Sequence, residues 1–171
     1  MQREMEMINN ILYKITLHAN RVLIFIAGIF LVTMIVLTCA NIFFRAVWIP
    51  VQGTFELMGF FGALVTSFSL GYTQLNRGHI AVDILVRKFP PKITKLLTGI
   101  SDIACMAFFA LISWQLAEKG TILLKSGELT ETLRIIYYPF TYGTAAGCAF
   151  LTFVFLTDLI RTLIAKKEKK S

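Results

Sequence analysis

The stretch Val22 to Phe44, VLIFIAGIFLVTMIVLTCANIFF, is 23 consecutive residues without a charge, closed by Arg21 on one side and Arg45 on the other. As a helix it is about 34 Å long, against a hydrocarbon core of about 30 Å. It reads as a transmembrane helix. Three further runs repeat the pattern: Leu57 to Asn76 with 20 uncharged residues, Leu96 to Ala117 with 22 interrupted by Asp102 alone, and Ile135 to Asp158 with 24 and a charge only at the end. These runs are too long for barrel strands and lack a period of two, so the fold class is an all-α membrane protein with four transmembrane helices.

Composition agrees. The 171 residues are 56% hydrophobic and 16% charged, with mean hydropathy +0.70, which excludes an ordinary soluble enzyme domain. The net charge of +7 does not point to nucleic acid, because the positive charges are separated by long uncharged stretches and form no single face. Cys39, Cys105 and Cys148 all fall inside apolar runs without metal-ligand or redox spacing, so buried free thiols are expected. The segment before the first span is too polar for a signal-peptide core and the run after it is too long for one, so the first span is expected to remain in the mature protein.

One membrane domain, 1–171, is thus expected, with spans at about 22–44, 56–76, 96–117 and 137–160. In residues 1–20 and just beyond, Ile8, Ile11, Leu12, Ile15, Ala19 and Val22 fall on one helical face with Asn10, Lys14 and Arg21 opposite. That pattern fits an amphipathic helix lying on the membrane surface, and equally the first turns of a long first helix. Residues 161–171 form a lysine-rich tail suited to lipid headgroups. Flank by flank, one side of the membrane carries thirteen Lys and Arg and the other four, so the positive-inside rule puts both termini in the cytoplasm.

The spans carry little chemistry. Arg45, Glu56, Asp102 and Asp158 lie near span ends, and hydroxyls such as Thr33, Thr66, Ser67, Ser113 and Thr152 occupy the middle. None of Pro50, Pro90, Pro91 and Pro139 breaks a span, so the marks of a midplane substrate or ion pathway are missing. His18 and His79 both fall outside the spans, which argues against haem ligation, and no catalytic or phosphate-binding arrangement is present. No enzyme, cofactor or metal site is expected.

What the spans do carry is packing. Gly59, Ala63, Ser67 and Gly71 recur every four residues, and Gly143 and Gly147 form a GxxxG, spacings that let helix backbones approach closely in lipid. The partner of these stripes is either the chain's own bundle or a second polypeptide. Beyond the second span, His79, Asp83 and Arg87 lie at i, i+4 and i+8, so that as a helix Asp83 bridges two basic neighbours on one polar stripe. The stripe is either a charge ladder at the headgroups or a brace for the reentry between helices or for a partner.

The pattern Phe44-Arg45, Glu56-Leu57, Gly62-Ala63 and Arg77-Gly78-His79-Ile80-Ala81-Val82-Asp83, followed by Phe89-Pro90, resembles the small membrane subunit of tripartite ATP-independent periplasmic (TRAP) transporters. The resemblance implies a multi-pass protein of the bacterial inner membrane that pairs with a large multispanning subunit and a soluble periplasmic substrate-binding protein. It further implies Na⁺-coupled uptake of organic acids such as sialic acids or C4-dicarboxylates, with the Na⁺ and substrate sites on an elevator-type large subunit and this chain as scaffold. Arg45, Trp48 and Glu56 are then expected to brace the outer membrane edge, and Arg77, His79 and Asp83 the inner one. The connection Glu118 to Tyr138, with Lys119, Lys125, Glu128, Glu131 and Arg134, is either an ordinary solvated loop or the docking surface for the binding protein. A self-assembling four-span pore or exporter is the alternative from another class.

Overall fold

The computed structural model describes the backbone of residues 2–76 and 91–168, and the side chains of residues 14–76, 97 and 99–159. Four helices are present among the described residues: α1 (Gln2–Val47), α2 (Thr54–Leu75), α3 (Pro91–Ser126) and α4 (Tyr138–Glu168). Each is long and apolar enough to cross a membrane, over Lys14–Val47, Thr54–Leu75, Gly99–Ser126 and Tyr138–Leu159.

The helix ends follow local chemistry. Arg45 stands in the last turn of α1, where the helix dipole favours a cation, and Pro50 follows shortly after. Gly53, at φ 73°, turns the chain into α2, and Glu56 sits in the first turn of that helix, where an anion is favoured. Asn76 ends α2, its backbone and side-chain N–H groups donating to the Tyr72 carbonyl at 3.1 and 3.0 Å. Pro91 begins α3, as suits a residue without an N–H, and Gly127 at φ 63° ends it by donating to the Leu123 carbonyl at 3.1 Å.

Packing arranges the helices as a row in the order α1, α2, α4, α3, with a slighter contact between α1 and α4. The cores of the α2 and α4 spans are 28% and 39% buried, against 6% for α1 and 0% for α3. The buried core clusters on Ala27, Leu64 and Phe68, with Leu23, Ile26, Phe30 and Phe140 against it. Phe30 stacks on Phe61 at 5.3 Å between ring centroids, and Phe60 stacks on Phe140 at 4.5 Å.

The structure chooses between the two open readings of the N-terminal segment and changes two other expectations. The amphipathic segment 1–20 is continuous with the first span from Gln2 onward, so α1 is one 46-residue helix of about 69 Å. The third helix does not end with the uncharged run at Ala117 but continues to Ser126. Its outward-facing Glu118 and Lys119 leave the opposite side free to pack, where Gly120 and Leu123 are buried. A break in apolar character is therefore not a helix end, and the α3–α4 connection shortens to residues 127–137. Of the three free cysteines only Cys148 is buried; Cys105 is half-buried and Cys39 faces outward on α1, where lipid solvates an apolar thiol as well as a core does.

Candidate functional site

Two polar layers close the row at opposite ends, with a close-packed seam between them. At one end the Glu56 carboxylate accepts from the backbone N–H of Thr132 at 2.7 Å through Oε1 and from that of Leu133 at 3.2 Å through Oε2. The start of α2 is thereby tied to the α3–α4 connection, 76 and 77 residues away in sequence.

That connection is itself ordered by Thr130, which is 2% exposed. Its N–H donates to the Ile135 carbonyl at 2.9 Å and its Oγ1 accepts from the Ile135 N–H at 3.1 Å, next to an isolated antiparallel bridge between Leu129 and Ile136. Arg134 adopts φ 51°, and Leu133 lies over Gly53 so closely that a Cβ there would overlap the leucine side chain. Glycine at position 53 is required twice, for its backbone and for its space. The α1–α2 connection is fixed in the same way: Val51 N–H donates to Asn41 Oδ1 at 3.0 Å, and the buried Thr54 hydroxyl donates to the Val51 carbonyl at 2.7 Å.

In the seam, small residues of α2 and α4 face each other. A Cβ on Gly143 would lie 2.7 Å from Leu64, and one on Gly147 would lie 2.7 Å from Ser67 Oγ and 2.9 Å from Phe68. One on Gly71 would lie 2.8 Å from Phe150 and 3.4 Å from Asn20 Oδ1. Ser67 directs its hydroxyl back to the Leu64 carbonyl at 3.1 Å, so this hydroxyl is satisfied within its own helix where the helices meet. The four-residue stripe read from sequence therefore divides: Ser67 and Gly71 are buried within the chain, whereas Gly59 and Ala63 face outward and nothing lies within 4 Å of a Cβ on Gly59.

At the other end, Gln74 Nε2 donates to Asp158 Oδ2 at 3.3 Å, joining α2 to α4. Thr16, Asn20 and Thr157 are buried close to this level of the chain, and Asn20 Oδ1 finds no hydrogen-bond partner. Arg77, His79, Asp83 and Arg87, the polar stripe read from the sequence, lie outside the described residues.

Of the other expected residues, Arg45 is exposed in the last turn of α1 and Trp48, 82% exposed, lies just past it; neither approaches Glu56 through a hydrogen bond or ion pair among the described residues. Lys119 and Lys125 project from α3, and Glu128, Glu131 and Arg134 are exposed on the connection at the Glu56 end. Sequence reasoning did not single out Asn41, Thr54, Thr130, Gln74 or Asn20. Gln74 and Asn20 had a signal, as amides inside or beside apolar runs, but Thr130 gains its role from a loop geometry no spacing rule describes.

No curated protein and no solved structure matches the chain. Residues 34–165 match a family model, that of the DctQ component of tripartite ATP-independent periplasmic transporters.

Proposed function

The chain belongs to the DctQ family, inner-membrane components of tripartite ATP-independent periplasmic transporters and not enzymes, and we propose that it is the stationary scaffold beside a large, moving membrane subunit. One observation carries this reading. Both ends of the described row are tied, by Glu56 to the Thr132–Leu133 backbone and by Gln74 to Asp158, while the seam between α2 and α4 has no room for sliding. A body fastened at both faces and close-packed between them suits an immobile support. The outward apolar face of α3, where Phe108, Leu111 and Trp114 are exposed, then offers it area for a partner.

In this reading both termini are cytoplasmic, following the thirteen-to-four Lys and Arg asymmetry, so the Glu56 end faces the periplasm. The large subunit holds the Na⁺ and organic-acid sites, consistent with spans whose charges lie near their ends. A periplasmic binding protein docks on the connection bearing Glu128, Glu131 and Arg134 and on the nearby Lys119 and Lys125, through mixed charges that suit a transient contact. Reversing Lys119, Lys125 and Arg134 to Glu then weakens the dependence of uptake on binding-protein concentration in proteoliposomes, with assembly intact.

Affinity purification of the chain from its native membrane in mild detergent tests the proposal. A large multispanning protein recovered in equal amount supports the scaffold; a homo-oligomer alone, the state of a self-assembling pore or exporter, overturns it.

A further inference from the structure

On α1, Lys14, His18, Arg21, Phe25, Ile29, Val32, Val36, Cys39 and Phe43 are all exposed. Their spacings of three or four residues keep them on one side of the helix. The opposite side carries Thr16, Asn20, Ala27, Phe30 and Thr38, which pack inward or bond within the bundle. One ridge therefore runs the length of the span, with three basic side chains at the Gln74 end and only apolar ones above them. Phe25 and Val32 are 70% and 60% exposed.

We propose that this ridge binds an anionic phospholipid, its headgroup held by Lys14, His18 and Arg21 and an acyl chain lying along Phe25, Ile29 and Val32. Dimensions agree with one leaflet: from Arg21 to Val32 the helix rises about 16 Å, and half a hydrocarbon core is about 15 Å. Gly28 lies between Phe25 and Val32, and nothing stands within 4 Å of where its Cβ would be, which leaves a notch for a chain to approach the backbone. Charge complementarity selects the headgroup, since the ridge carries no acid and no carboxylate among the described residues pairs with its bases. A protein helix on the same face would have to bring carboxylates to meet them. An anionic lipid brings its phosphate in the same molecule as the chain that covers the apolar part.

The test is retention of phosphatidylglycerol against phosphatidylcholine by the purified full-length protein, read by native mass spectrometry, for the wild type and for the double variant Lys14→Gln, Arg21→Gln. Each cation near a lipid surface contributes about 1 kcal/mol, so the double variant should lose phosphatidylglycerol affinity by about 25-fold. Its phosphatidylcholine binding and melting temperature should not change, because both side chains are exposed. Equal retention of the two lipids by the wild type overturns the proposal, as does undiminished phosphatidylglycerol binding in the variant. A third arm introduces Val32→Cys: cross-linking of that cysteine to a co-purified protein in place of lipid assigns the ridge to a partner helix and also overturns it. None of these outcomes bears on whether the chain is a scaffold, which the affinity purification decides separately.

Discussion

The central pair α2 and α4 and the flanking pair α1 and α3 solve opposite problems with apolar sequence. By composition α1 is the most apolar of the four spans, yet almost none of it is buried; α2 and α4 are less apolar and are buried most. In water that order would be inverted. In lipid the apolar side chain gains little by leaving its surroundings, so association depends on close approach and on pairing polar groups. The central helices meet through Gly71, Gly143, Gly147 and Ser67, and they are joined by Gln74 and Asp158. The flanking helices lean on them, α1 through Phe30 against Phe61, α3 through Phe109 against Phe155 at 6.4 Å.

The largest test of this contrast is a bulky residue placed at equivalent glycines on the two kinds of surface. Gly147→Leu drives side-chain atoms into Ser67 and Phe68, and overpacking of this kind costs about 1–3 kcal/mol. Gly59→Leu enters open space and gains helix propensity, so it should leave stability unchanged or slightly raised. Thermal melts of the two variants in the same detergent decide the matter: equal losses would mean that the seam is no tighter than the outer face of α2.

A second test concerns the Glu56 tie. Glu56→Ala removes the acceptor of two backbone N–H groups, so hydrogen exchange at Thr132 and Leu133 should rise several-fold, while the amides of α2 and α4 beside Gly71 and Gly147 keep their protection. Glu56→Gln, which retains one carbonyl acceptor, should fall between the two. Exchange that rises equally in the seam would show that the end and the seam unfold as one unit, and the distinction between them would fail.

The helices themselves were legible because hydrocarbon thickness sets a length that uncharged runs reveal directly, as Val22 to Phe44 does between two arginines. Family membership was legible as well, from the motif between residues 45 and 90. The end of α3 was not. Glu118 and Lys119 interrupt the apolar run, but on the other side of those turns Leu123 is buried and the Tyr142 ring lies 3.2 Å from where a Cβ on Gly120 would be. The stripe Gly59, Ala63, Ser67, Gly71 was visible as a stripe, yet a period of four drifts around a helix of 3.6 residues per turn, so its two halves reach different surroundings. Glu56 was picked out as an outer brace, but it is held by the backbone N–H groups of Thr132 and Leu133 and by the Thr130 and Thr132 hydroxyls, a loop arrangement with no sequence signature.

The smallest expected effect lies where a flanking helix meets a central one. Ser113, at the middle of the α3 span, donates to the Ala145 carbonyl on α4 at 3.0 Å, a hydrogen bond between helices rather than within one. Because Ala145 sits in α4 between Gly143 and Gly147, this bond sets how α3 is registered against the same turn that forms the α2–α4 seam. Interhelical bonds of this kind in membranes average about 0.6 kcal/mol, so Ser113→Ala should lower stability by about that amount and no more. A double variant with Gly147→Leu then asks whether the two helix contacts are coupled through that turn. Contacts sharing one turn should show a coupling of about 0.5 kcal/mol or more, whereas strict additivity would make the seam and the α3 contact independent.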